Sequence, residues 1–289
     1  MSEKDPISLT VQHFIFKQNI YVENTPIPKE KISCEVPKGY KIIGGGWYYS
    51  DTNFPPPYIY PKSITEMVAE LKYFEHQNQY VWFYVIALFD PLDDWDVQLF
   101  NESVTGDKIV RKTIPQEYVL TSGWVSFNAY DHNGKPLNFR NISYCMTGIL
   151  SSYPVDTHTW EVQINDIQSD IVKQWNLTVW IIGIKPKINN NLQISLKKDD
   201  EPSYNIEGFG NVLTGGGIRI SPPLEGTYKN TWISNCFPVI PDENSVPKSW
   251  HINWVDPAVQ RNLTLLSKYV VEIKGENLKV IYPPIKINP

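Results

Sequence analysis

An all-β fold is predicted by three features of the 289-residue sequence: strand-length runs that alternate apolar and polar residues, a scarcity of helical periodicity, and three sets of landmarks that recur in one order. Residues 8–22, 160–164 and 269–273 alternate, and β-branched and aromatic types dominate them, as expected of strands with one buried face. Helical spacing is confined to residues 64–74. There Ile64, Met67, Val68, Leu71 and Phe74 share one face and Ser63 stands in capping position, which makes this segment the one helix candidate. The 23 prolines and 16 glycines cut the remainder into short pieces, the pattern of sandwiches, barrels and prisms.

The first recurring landmark is an apolar strand running into glycines: Tyr40-Lys41-Ile42-Ile43-Gly44-Gly45-Gly46-Trp47, Tyr118-Val119-Leu120-Thr121-Ser122-Gly123-Trp124, and Val212-Leu213-Thr214-Gly215-Gly216-Gly217-Ile218. The second is an aromatic before proline: Tyr60-Pro61, Tyr153-Pro154 and Phe237-Pro238. Downstream of the last two, Trp160 and Trp250 open alternating runs and are expected in the core with Val162, Ile164, Ile252 and Trp254. The third is a closing apolar strand, residues 82–88, 179–184 and 269–273, preceded in two cases by Asn176-Leu177-Thr178 or Asn262-Leu263-Thr264. In those two tripeptides the asparagine is expected to cap the turn that launches the strand.

This order predicts three diverged repeats, β-prism-like or packed β-sandwich units of four strands each with a pseudo-threefold relation. The expected boundaries are residues 1–110 with an N-terminal strand, 111–190, and 191–289 with a C-terminal tail. Glycine triplets suit a bulge or a packed crossing between sheets. A ligand pressed on main-chain amides is the weaker reading, and no helix with Lys-Ser or Lys-Thr follows to make a phosphate loop.

Residues 34–46, Cys34-Glu35-Val36-Pro37-Lys38-Gly39-Tyr40 into Gly44-Gly45-Gly46, with the aromatic-proline and a closing Tyr84-Val85-Ile86-Ala87, resemble short repeat modules of bacterial extracellular proteins. Those modules carry a Cys-Pro-x-Gly start, a triple glycine, a Ser-Tyr-Pro and a terminal strand. The resemblance implies a secreted or surface-acting bacterial β-module.

Composition limits the partners. A net charge of -5 without a lysine or arginine block lacks the electrostatic footprint of a nucleic-acid binder. The longest apolar run, residues 81–89, falls short of the roughly 20 residues a transmembrane helix needs. The polar start, residues 1–6, has no signal-peptide pattern, so a cytoplasmic origin is expected, with any release by a route that reads no N-terminal signal. Cys34, Cys145 and Cys236 are widely spaced and odd in number, and are expected buried and reduced.

Chemistry-bearing patterns are thin. His13, His76, His132, His158 and His251 show no ligand spacing, no nucleophile elbow occurs, and carboxylates such as Glu161 with Asp166 or Asp170 are unremarkable, so neither a catalytic site, a metal nor a cofactor is expected. Asp90-Pro91-Leu92-Asp93-Asp94-Trp95-Asp96 reads as a solvated turn before it reads as a calcium loop. Asp131-His132-Asn133-Gly134 reads as a type I′ hairpin turn.

The candidate binding surface is the aromatic, polar and proline-stiffened segment after the first glycine corner, with Trp47, Tyr49, Asp51, Asn53 and Tyr58 as ligand-binding residues and Tyr228 and Trp232 as their counterparts in the third copy. The competing reading turns Trp47 and Tyr49 into the core. The expected function is non-catalytic, lectin-like recognition of surface glycans or a cell-surface receptor, with oligomers allowed. The alternatives are a bacterial or insecticidal toxin component, for which residues 189–201 form the best candidate for a membrane-inserting hairpin, and a self-assembling structural protein.

Overall fold

In the computed structural model, residues 9–20, 31–50, 57–70, 80–137, 148–164, 167, 172–187, 191–201, 203–220, 232–240, 246–255, 266–275 and 278–287 are described. Among them there are nineteen strands and no helix: β1 (Leu9–Asn19), β2 (Lys31–Glu35), β3 (Tyr40–Tyr49), β4 (Tyr58–Pro61), β5 (Glu66–Glu70), β6 (Tyr80–Phe89), β7 (Trp95–Thr105), β8 (Ile109–Thr113), β9 (Val119–Tyr130), β10 (Ile149–Pro154), β11 (Thr159–Ile164), β12 (Gln174–Pro186), β13 (Gln193–Asp199), β14 (Asn205–Glu207), β15 (Val212–Ile220), β16 (Trp232–Val239), β17 (Ser249–Val255), β18 (Leu266–Lys274) and β19 (Leu278–Ile287).

They form a seven-stranded sheet, β14-β17-β16-β3-β6-β1-β19, a six-stranded sheet, β13-β18-β15-β10-β11-β8, and two three-stranded sheets, β7-β12-β9 and β2-β5-β4. One antiparallel ladder order occurs in three places: β1-β6-β3, β7-β12-β9 and β13-β18-β15. A second occurs as β2-β5-β4, β8-β11-β10 and β14-β17-β16. Pairing crosses the boundaries drawn on sequence. β7 pairs with β12, β10 with β15 at Ser152↔Ile218, β16 with β3 at Cys236↔Trp47, and β19 runs parallel to β1.

The glycine-bearing strands β3, β9 and β15 each carry a register shift where the apolar run meets the small residues. The residues left over are Ile43, Thr121 and Thr214. All three are fully buried. The Thr214 hydroxyl donates to the Thr121 carbonyl at 2.8 Å, and a Cβ on Gly44 would fall on the Thr214 carbonyl oxygen. The small residues thus let three backbones close on one another, the bulge role expected of them.

Trp160 and Trp250 are fully buried, as expected, with Val162, Ile164 and Ile252 beside them, while Trp254 is half-buried. Each indole covers a glycine of another strand, Trp160 of β11 over Gly123 of β9 and Trp250 of β17 over Gly216 of β15, where any Cβ would meet the ring. The indole N–H groups donate to Ser152 Oγ at 3.0 Å and to Cys236 Sγ at 3.1 Å. At the corresponding place in β5, Met67 opposes Pro61 and needs no acceptor, and the neighbouring hairpin residue is apolar Ile59. Cys34 and Cys236 are buried free thiols; burial pushes both up, Cys236 to about 12. Cys145 lies outside the described residues.

Four local expectations are corrected. The helix candidate is strand: Glu66–Glu70 pairs with both β2 and β4, so sheet hydrogen bonds override the helical spacing, and residues 71–79 lie outside the described residues. Asn176 caps no turn, because it sits inside β12 opposite Asn128 and accepts the Thr105 hydroxyl at 2.8 Å, while Asn262 lies outside the described residues. At 131–135 only Gly134 has a positive φ; the Asp131 carboxylate accepts the Asn133 and Lys135 amides, which makes a longer side-chain-capped turn instead of type I′. Residues 193–199 form a single strand paired along its length with β18, not a hairpin, and the fully buried Lys268 ammonium ties its end to Asp199, Ser203 Oγ and the Asn205 carbonyl.

The acidic turn is held by an internal cation. Lys41 Nζ donates to Asp90, Asp93 and the Trp95 carbonyl at 2.6, 2.5 and 2.9 Å. Burial works against the Lys41 charge, yet the Asp90 and Asp93 hydrogen bonds outweigh it and raise the ammonium. Hydrogen bonds from Lys187 and Lys41 hold the Asp93 carboxyl down at about 2.

Two stability predictions follow from the packing. Trp160→Ala and Trp250→Ala should each cost about 3–5 kcal/mol in urea unfolding, and parental midpoints would contradict the assignment. Burial in β1 holds the His13 imidazole down at about 4, so the folded chain stays neutral there while the unfolded chain takes up a proton below its ordinary 6.5. Stability present above pH 6.5 should therefore be lost as pH falls from 6.5 to 4, by roughly 3 kcal/mol, and His13→Gln should flatten that part of the curve.

Candidate binding face

Three of the sequence-predicted site residues are core residues. Trp47, Tyr49 and Tyr58 are 7, 2 and 4% exposed. Trp47 packs against Trp124 with ring centroids 6.2 Å apart, Tyr58 against Phe127 at 5.5 Å, and the Tyr49 amide donates to buried Asn235 Oδ1 at 2.8 Å. The expectation that these rings face solvent is corrected by the strand period: β3 continues through Tyr49, so Trp47 and Tyr49 point inward and Tyr48 outward. Asp51, Asn53 and Tyr228 lie outside the described residues. Trp232 opens β16 opposite Val255, and its side chain lies outside them too.

The opposite face of the same sheet carries the aromatic surface. Across it Lys286 lies opposite Ile15, Ile15 opposite Tyr84, and Tyr84 opposite Gly46. Gly46 leaves room for Phe237 of β16 to stack on Tyr84 at 5.0 Å and 14°. Two other seams repeat this contact, Tyr60 on Trp180 at 5.3 Å and 13°, and Tyr153 on Tyr269 at 5.2 Å and 27°. In all three the first ring belongs to the residue before a proline, which gives the aromatic-proline landmark its physical meaning: the ring closes one strand set onto the next.

The three seams differ chemically. The Tyr60 hydroxyl donates to Glu70 at 2.8 Å, and Glu70 pairs with Lys31 at 2.6 Å. The Tyr153 hydroxyl donates to Glu161 at 2.6 Å, and Arg111 Nε reaches the same carboxylate at 2.9 Å. Burial, and then the facing carboxylate, push both phenols up. Phe237 has no hydroxyl to satisfy, and the residue across from it is His251, with ring centroids 4.9 Å apart. Burial lowers the His251 imidazole, which at neutral pH donates from Nδ1 to Asn205 Oδ1 at 2.8 Å.

Beside this third seam lies a cavity of about 440 Å³, lined by Ile15, Trp82, Tyr84, Phe237, Pro238, Val239, Ile240, Pro283, Pro284 and Lys286. The Trp82 indole nitrogen is buried with no hydrogen-bond partner among the described residues. Tyr48 and Tyr80 flank Trp82 at 5.8 and 6.0 Å, and Lys17 Nζ stands 4.4 Å over the Tyr80 ring. Flat rings, stiff prolines and cations of this kind bind by stacking and burial of apolar faces. Among the described residues no cluster of three or more His, Cys, Asp or Glu has metal-binding geometry, and no helix is long and apolar enough to cross a membrane.

Sequence reasoning missed this face although a signal existed. Tyr80-Val81-Trp82-Phe83-Tyr84 alternates two kinds of apolar residue, with the polar-tipped rings on one side and Val81, Phe83 and Val85 on the other. A run apolar at every position hides its alternation from any test based on polarity. No protein-family model and no curated protein matches the chain.

Proposed function

We propose that this chain is a non-catalytic, lectin-like binding protein whose recognition surface is the aromatic face at the junction of β16, β3, β6 and β1, serving glycans or a glycan-bearing cell-surface receptor. The scaffold is read as three copies of one six-stranded unit, β1–β6, β7–β12 and β13–β18, related by a pseudo-threefold axis, with β19 added to the first. Recurrence of one ladder order, one bulge position and one aromatic stack in each supports that reading.

The observation that carries the functional reading is the difference among the seams. In two, a carboxylate and a cation close the tyrosine of the stacked pair; in the third that chemistry is replaced by Phe237 and His251 beside a cavity walled by Trp82 and Tyr84. A contact that only joined units would have no reason to open a cavity, whereas a sugar presents an apolar ring face to Trp and Tyr and its hydroxyls to lysine and imidazole groups.

A glycan array with the parent chain and with Trp82→Ala and Phe237→Ala tests this. Each variant should lose at least about tenfold in affinity, equivalent to roughly 1.4 kcal/mol, with the β-sheet circular dichroism spectrum retained. Array binding that survives the double variant would place recognition elsewhere on the chain.

A further inference from the structure

Accessible rings on the outer face of the seven-stranded sheet form a strip that extends well past the cavity. Tyr204, immediately before β14, stands 6.1 Å from His251 of β17, His251 4.9 Å from Phe237 of β16, Phe237 5.9 Å from Tyr48 of β3, and Tyr48 6.2 Å from Tyr80 of β6. Lys17 of β1 ends the row above Tyr80. From Tyr204 these centroids step across β17, β16, β3 and β6 in the hydrogen-bonding direction at intervals of 4.9 to 6.2 Å. None of the six is fully buried, and Tyr204 at the far end is 54% exposed.

The row is also held still. The Tyr204 carbonyl accepts the Ile252 amide at 2.8 Å and its ring packs on Trp254 at 5.2 Å, while His251 is oriented by Asn205. Ordered rings lose little conformational freedom on binding.

The geometry points to a linear glycan chain, running across the strands from Tyr204 to Lys17, as the occupant of this face, in place of a single terminal sugar. This deepens the proposed binding function and rests on it. A β-1,4-linked pyranose chain fits the strip because its equatorial linkages keep successive rings extended and present apolar faces to one side. Single-stranded nucleic acid also stacks on rows of aromatics, but it needs a basic track beside them, and this row holds one lysine on a chain of net charge -5.

Fluorescence titration with β-1,4-linked glucose and N-acetylglucosamine, each from the monosaccharide to the hexasaccharide, tests the inference. Affinity should rise with length by roughly three- to tenfold per added unit until the strip is filled. Tyr204→Ala, at the end remote from the cavity, should weaken the hexasaccharide by a similar factor and leave the monosaccharide unchanged, and Tyr80→Ala should also weaken the hexasaccharide. Affinity independent of length, array binding restricted to branched terminal sugars, or tighter binding of oligothymidylate would each overturn it. The first two of these outcomes would leave the lectin-like reading standing, whereas failure of every glycan on the array would remove that reading as well.

Discussion

The close approach of three backbones at Ile43, Thr121 and Thr214 is the constraint on which the other features depend. At that point the Thr214 carbonyl lies where a Cβ of residue 44 would be, and the Thr214 hydroxyl reaches the Thr121 carbonyl. Only small residues allow it, which explains Gly44, Gly215 and Ser122 in equivalent register. Where the long strands meet, each carries one residue left over from its ladder, a bulge at the same place in β3, β9 and β15. The hairpin ladders then have one place to go, over the glycine next in line, and in two of the three sets a tryptophan fills that place.

Buried polarity follows the same plan. Where a tryptophan covers a glycine, its indole N–H finds Ser152 or Cys236 on the preceding strand; where methionine takes that position, no acceptor is provided and Ile59 stands instead. The side chains change together because an unmet buried donor costs about 1–3 kcal/mol, comparable to the gain from the packing itself. Lys268 obeys the same rule from the charged side, with three oxygen partners around an ammonium that has no solvent contact.

The proposed function rests on a difference among the three stacked seams. The stacked aromatic pair is a joint in all three places, and the two joints closed by Glu70 with Lys31 and by Glu161 with Arg111 have their polar atoms satisfied internally. At the joint of Phe237 and Tyr84 no such partners occur among the described residues, β6 offers Trp82 and Tyr80 beside Tyr84, and the Pro283-Pro284 strand supplies a further wall. The proposed binding face is separated from the packing beneath it by one residue of strand register: Tyr48 looks out, Trp47 and Tyr49 look in.

The all-β class, the glycine corners, the aromatic-proline landmarks and the buried Trp160 and Trp250 were legible in the amino-acid order, because each depends on local periodicity or on a conformation few residues can adopt. Which side of β3 faces solvent was not legible, since a strand apolar at nearly every position has two plausible faces and only its neighbours β6 and β16 choose between them. The same holds for residues 66–70, whose helical spacing gave way to two flanking strands, and for the acidic turn, whose cation, Lys41, is 49 residues away in the chain. Pairings between residues distant in sequence, Cys236 with Trp47 and Ser152 with Ile218, decided where the stacked rings would meet and which seam would stay open. Long-range register belongs to the folded structure because its energy lies in contacts that no sequence window contains.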